Sequence, residues 1–190
     1  MRAPRKIILC LALLASPAFA GELEGVRLDD RVSAGKQELQ LNGMAVRTRF
    51  FFKVYVAGLY LPQKTQDAQA AIGMPGMKRM AIVMLRDVDA DSFSKSLRAA
   101  LHDSNSDAEL APLQPQIDAL FGAIHRIGEA KKGATIVLDF APGTGTSLTV
   151  NGVLELKPVA GDDFFVALLK VWLGEGPVAH NMKKALLGTP

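Results

Sequence analysis

The chain has 190 residues, 49% of them hydrophobic and 22% charged, which excludes a disordered, collagen-like or coiled-coil protein and fits one domain at ~100–200 residues per domain. Aromatic residues make up only 6%, with one Trp and two Tyr, so composition offers no stacking platform for nucleic-acid bases. The formal charge of +3 looks mildly basic, but its source lies in the first few residues.

MRAPRKIILCLALLASPAFA, residues 1–20, reads as a secretory signal peptide. Arg2, Arg5 and Lys6 form the positive region, Ile7 to Ala15 the apolar run, and Ala18-Phe19-Ala20 a small-x-small cleavage site. The apolar run is shorter than the ~20 residues that span a bilayer, so no stable membrane span is expected. Cleavage would open the mature domain, residues 21–190, at Gly21. It would remove three basic residues and leave 19 of each sign. A neutral chain has no electrostatic motive for nucleic acid. The only Cys, Cys10, would leave with the leader, and disulfide, thiolate and Cys-metal chemistry with it. The expected location is the periplasm or the extracellular space.

Val26 to Val32 and Glu38 to Val46 alternate like strands. Ser33 to Lys36 and Asn42-Gly43 are turn candidates. Arg49 to Leu61, RFFFKVYVAGLYL, is the strongest strand, rich in Phe, Val and Tyr and closed by Pro62. In one straight strand, Phe50, Phe52, Val54, Val56 and Tyr60 form a greasy face. Arg49, Phe51, Lys53, Tyr55, Ala57 and Leu59 form the other, which suits a partly polar cavity or solvent.

Asp67 to Ile72 reads as a short helix stopped by Gly73 and Pro75, and Lys78 to Leu85 as a strand. Asp89 or Asp91 caps the next helix, in which Phe93, Leu97, Ala100 and Leu101 share a stripe. A helix over Leu113 to Ile124 precedes strands at Ala134 to Phe140, Ser147 to Val150 and Val153 to Leu156, the last two joined by Asn151-Gly152. Asp162 to Trp172 and Pro177 to Leu187 are the closing helices, separated at Gly174 to Gly176. This order predicts an α+β fold with a largely antiparallel sheet.

His102, His125 and His180 have no metal-ligand spacing. Asp87, Asp89 and Asp91 begin like a calcium loop, but Ser92 stands where the turn Gly belongs and Arg98 where the closing Glu belongs. Gly143-Thr144-Gly145 leads into a strand and not a helix, unlike a phosphate loop. No cofactor or metal is expected. Arg47, Arg49, Lys53 and Tyr55 are the group with chemical interest, since a guanidinium and a phenol together suit one carboxylate. Spacing alone also allows strand-end charges on a wet face. Eight residues of straight strand span ~26 Å at ~3.3 Å each, so Arg47 and Tyr55 share a ligand only if the chain turns between them.

Three segments carry a resemblance: LNGMAVRTRFFFKVYVAGLYLP from Leu41, KRMAIVMLRDVDADSFSKSLRAAL from Lys78, and LLKVWLGEGPVAHNMKKALLG from Leu168. Together, and in this order, they resemble the chalcone isomerase-like superfamily, most of all its bacterial secreted branch. The resemblance implies an open-faced β-sandwich: a large antiparallel sheet covered by helices, with a cleft between them. KVYVAGLYL and LRDVD are similar to the non-catalytic fatty-acid-binding members, in which an Arg and a Tyr hold the lipid carboxylate. Those positions map to Arg47 and Tyr55. The isomerases carry a catalytic Tyr where Phe93 stands here, a Thr at the position of Tyr55, and a Lys and an Asn near Ser96 and Ala99 or Ala100.

The resemblance therefore implies a non-catalytic binder of a small apolar carboxylate, such as a fatty acid. Arg47 and Tyr55 would take the head, and Phe51, Met84, Phe93 and Leu97 the tail. The alternative is an isomerase or lyase acting on a chalcone-like enone, with Arg47 stabilising an oxyanion. A third reading is an interaction module whose cleft has collapsed.

Overall fold

The computed structural model describes residues 19–189. The expected leader lies outside the described residues, apart from its last two positions. Two strands, β1 (Phe19–Leu23) and β2 (Val26–Asp29), pair as a separate hairpin. The main sheet has seven antiparallel strands in the order β11-β10-β9-β6-β5-β4-β3. These are β3 (Arg31–Ala34), β4 (Gln37–Arg49), β5 (Phe52–Leu61), β6 (Lys78–Met84), β9 (Thr135–Ala141), β10 (Gly145–Val150) and β11 (Val153–Val159). A two-residue ladder joins β7 (Val88–Asp89) to β8 (Glu129–Ala130). Helices α1 (Ala68–Gly73), α2 (Ala90–Ser104), α3 (Asp107–Leu110), α4 (Gln114–Ile127), α5 (Asp162–Leu173) and α6 (Pro177–Leu186) complete the chain. The sheet and its helices match the α+β architecture expected from the order of elements.

The longest predicted strand, Arg49 to Leu61, is β5 from Phe52 onward, and its first three residues belong to the end of β4 and a turn. The chain reverses at Phe50-Phe51, and Phe50 takes φ +55°. Neither residue is the Gly or Asn that normally marks such a turn, so nothing local announced it. Two register shifts then set which side chains face the helices. Asn42 is the extra residue between the pairs Leu41↔Tyr60 and Gly43↔Leu59, and Val54 the extra residue between Arg47↔Tyr55 and Thr48↔Lys53. Each bulge breaks the period of two. Past the Val54 bulge the period of two holds, and Tyr55, Ala57, Leu59 and Leu61 point into the helix-facing core, the reverse of the greasy face expected from the sequence. Val56 and Tyr60, on the opposite side, are buried as well.

Asn42-Gly43 is accordingly a bulge within β4 and not a turn. The Asn42 amide donates to the carbonyls of Thr65 (3.0 Å) and Leu186 (2.8 Å), and its oxygen accepts from the Thr65 amide (2.8 Å). Gly43 lies directly under α6: a Cβ there would sit 2.2 Å from the Ala185 carbonyl oxygen and 2.6 Å from that of Leu186.

Helix ends follow their chemistry. Asp67 caps α1, and Asp89, of the two candidates, caps α2 by accepting from the Ser92 amide at 2.8 Å. Ser106 and Glu109 form a reciprocal capping box that starts α3. Pro177 occupies the first turn of α6.

The main core lies between the sheet and α2, α4, α5 and α6. Helix α5 is its centre: Phe164, Phe165, Leu168, Leu169 and Trp172 are buried, each large apolar side chain contributing ~1.5–3 kcal/mol. Phe165 stacks on Phe140 of β9 with centroids 5.2 Å apart. A smaller cluster, Leu39, Leu41, Tyr60 and Ala81, lies on the far face under Leu28 and Met44. There the Tyr60 hydroxyl donates to the Asp29 carbonyl, and Arg79 forks onto Asp139 at 2.6 and 2.8 Å.

Two outcomes follow. Gly43→Ala should destabilise the fold by about 1–3 kcal/mol, because backbone on both sides resists the added carbon; urea unfolding measures it. Glu109 accepts from Lys170 of α5 and from Ser106, which holds its pKa at about 2. Its stabilising effect is complete above the ordinary Glu value and is lost as pH falls from about 4.5 through about 2. Glu109→Gln should flatten the stability–pH curve in that window.

Candidate functional site

The turn at Phe50-Phe51 removes the separation between Arg47 and Tyr55. The two are directly opposite each other in the β4–β5 ladder, so their side chains leave the same face of the sheet. That face opens into a cavity of about 360 Å³ bounded by the β4–β5 hairpin, α2, α5 and the start of α6. This volume lies within the usual range of ligand pockets. The bulge at Val54 lets the consecutive residues Val54 and Tyr55 both line it, along with Phe52.

Tyr55 is buried at the inner end. Its hydroxyl oxygen accepts a hydrogen bond from Trp172 Nε1 at 3.0 Å. An indole N–H can only donate, so the phenolic proton remains available to an acceptor in the cavity. Burial pushes the Tyr55 pKa above its ordinary value, opposed by the Trp172 bond and the nearby Arg47 charge. The phenol therefore stays protonated across the physiological range and acts as a donor.

Arg47 is half-buried at the wall and donates to the Thr48 carbonyl at 3.1 Å. Arg49 Nη1 donates to Ser96 Oγ at 2.9 Å, and the Arg86 guanidinium lies over the Phe52 ring at 5.0 Å. All three border the cavity. No ion pair ties any of them to a carboxylate among the described residues. The two acids at the rim are engaged elsewhere. Asp89 caps α2, and Asp87 accepts from the Lys132 amide at 2.7 Å and from Lys131 at 3.3 Å. Those bonds hold both carboxyls below their ordinary pKa. The cavity thus presents guanidinium and phenol donors above an apolar floor.

Phe93 and Leu97 of α2 line that floor, as do Ala100, Val171 and Val178. They are less buried than Ala100 and Leu101 of the same helix because they border empty space. A second, apolar void of about 40 Å³ lies beyond them, under Leu120, Ile124 and Ile136, and shares Phe93 and Leu97 as wall. Of the six residues expected at the site, Arg47, Tyr55, Phe93 and Leu97 meet here. Met84 is buried beside Tyr55 as its partner on β6 and does not border the cavity. Phe51 is 97% exposed at the hairpin tip and does not line it either, because the turn carries it away. Trp172 was expected to face inward, but its bond to Tyr55 spans 117 residues and has no local sequence signal. Arg86, Ser92 and Ser96 were not foreseen as cavity residues. No group of three or more His, Cys, Asp or Glu poised to hold a metal occurs among the described residues.

An antiparallel sheet with helices over one face and an Arg–Tyr cavity between them defines a class of protein. The family profile described as chalcone isomerase-like matches residues 20–188, and the chain belongs to that family. Among solved structures it is similar to an Arabidopsis thaliana fatty-acid binding protein, with 15% identity and a TM-score of 0.63, over 86% of this chain and 92% of that one. At that identity the likeness speaks for the fold. Comparison with curated protein sequences gives no match.

Tyr55→Phe would leave the buried Trp172 N–H without an acceptor. It should cost about 1–3 kcal/mol, read by urea unfolding, and Trp172 fluorescence should report the changed surroundings of the only Trp.

Proposed function

We propose that this protein is a non-catalytic binder of a small apolar carboxylate, most simply a fatty acid, and that it belongs to the secreted bacterial branch of its family. In this reading residues 1–20 are a cleaved leader and the domain works in the periplasm or outside the cell. The observation that carries the binding reading is the convergence of Arg47 and Tyr55 on one cavity with an apolar floor. The guanidinium pairs with the carboxylate and the Tyr55 proton completes the second oxygen. Phe93 and Leu97 receive the tail. Phe93 also supports binding over isomerisation, since it offers carbon where the family's isomerases use a hydroxyl. The structural neighbour, a fatty-acid binding protein, points the same way.

A cavity of about 360 Å³ has room for roughly a dozen methylenes, taking each as comparable to a water's ~30 Å³. Each buried CH₂ contributes ~0.8 kcal/mol, so the tail sets affinity and the head sets orientation.

Mass spectrometry of lipid extracted from the purified protein should detect a bound carboxylate. Affinity should rise about fourfold per added methylene until the cavity is filled. Arg47→Ala should weaken binding about tenfold or more through loss of a charged hydrogen bond. Unchanged affinity in that variant would remove the basis of the reading. Turnover of chalcone, followed by loss of its visible absorbance, would favour the isomerase instead.

A further inference from the structure

The hairpin that brings Arg47 to Tyr55 ends in three consecutive phenylalanines in water. Phe50, Phe51 and Phe52 are 82%, 97% and 60% exposed. Soluble proteins expose single apolar residues freely, but a contiguous cluster marks an interaction site. Neither turn residue is required by its backbone: a positive φ at Phe50 is a position where Gly or Asn would be at ease.

We propose that this tip is a docking element for an anionic lipid bilayer. Two features select a bilayer over a protein partner. The tip is a projecting turn of three side chains, far smaller than the ~800 Å² per partner of a stable protein interface, yet suited to insertion among lipid chains. Its base carries Arg49, stacked on Phe50 at 5.8 Å, and Arg86, stacked on Phe52 at 5.0 Å. Guanidiniums one ring below an apolar tip lie at the depth of lipid phosphates, where basic residues attract anionic leaflets. The carboxylates around this end are already committed: Glu24 to Lys53, Asp87 and Glu129 to Lys131, and Asp89 to the α2 cap. No carboxylate among the described residues forms an ion pair with Arg49 or Arg86.

The same end of the sheet repeats the pattern. Antiparallel pairing places the Lys131-Lys132 turn and the β10–β11 hairpin at this end. There Val153 and Leu154 are exposed. No helix among the described residues is long and apolar enough to span a membrane; the contact proposed here is peripheral. Phe50 and Phe52 also border the cavity, so a molecule leaving the bilayer at the tip enters the cavity without crossing bulk water. The docking itself does not depend on what the cavity holds.

The test uses the full chain carrying Phe51→Trp, a substitution at a side chain almost wholly in solvent. With phosphatidylcholine–phosphatidylglycerol vesicles, the added indole should shift its emission to the blue and be quenched by acyl-chain-brominated lipid. The parent chain, whose only Trp is Trp172, is titrated with the same vesicles and its signal subtracted. Adding Phe50→Ser and Phe52→Ser should reduce the shift about tenfold or more at a given lipid concentration. Arg49→Gln with Arg86→Gln, or high salt, should weaken it as well. The proposal is overturned if vesicles leave the emission unchanged, or if phosphatidylcholine alone gives the full effect with no salt dependence. It is equally overturned if the shift appears without lipid and grows with protein concentration, which would make the occupant a second copy. Fatty-acid affinity measured without vesicles is a separate readout, so failure of either proposal leaves the other standing.

Discussion

The pairing of Arg47 with Tyr55 across the β4–β5 ladder is the constraint on which the site rests. It depends on a two-residue reversal at Phe50-Phe51 and on one extra residue, Val54. Without the reversal the guanidinium and the phenol would be at opposite ends of a long strand. Without the bulge, Val54 and Tyr55 would face opposite sides of the sheet. Trp172 then fixes the phenol from the helical layer, converting a rotatable hydroxyl into a donor aimed at the cavity. One hairpin and one indole thus supply the polar part of the site, and α2 supplies the apolar part.

The cavity persists because the surrounding core is tight. Helix α5 fills the middle of the sheet with Phe164, Phe165 and Leu168, while α2 contributes mainly small or partly exposed residues near its start. The helix packs against α5, α4 and α6, burying Ala100 and Leu101, and leaves space at Phe93 and Leu97. A packed interior normally excludes such voids. Here one side of the gap is held by the Asp89 cap and by the β7–β8 ladder that anchors the start of α2.

Much of this architecture was legible in the sequence. The helices at Asp162 and Pro177, the Asn151-Gly152 hairpin and the strand from Lys78 all stand where periodicity and turn chemistry put them. The misreadings have physical causes. Phe50-Phe51 turns without Gly or Asn, so the hydrophobic run looked continuous. Asn42-Gly43 has the chemistry of a turn, but here the Asn amide satisfies backbone groups of two other segments and the Gly makes room for a helix. Helix α3 was missed although Ser106 and Glu109 spell out a capping box. At the site, Arg47 and Tyr55 came from family resemblance, and Phe93 and Leu97 were chosen alongside them. Phe51 is carried off by the turn, and Met84 is buried beside Tyr55 without reaching the cavity. The Trp172–Tyr55 bond joins residues too distant in the chain for any pattern to pair them.

The seam at Asn42 has a temporal consequence. Its amide is completed by the Leu186 carbonyl, 144 residues away, and Gly43 is shaped to receive the backbone of α6. The fourth strand comes far ahead of the helix that closes over it in the order of the chain. Until then a polar side chain and a stretch of bare sheet wait for a partner that does not yet exist. Such long-range closure slows folding, and a half-made chain exposes sticky surface in the meantime. The molecule is therefore clasped like a bracelet, and remains open to chaperones until α6 reaches the sheet.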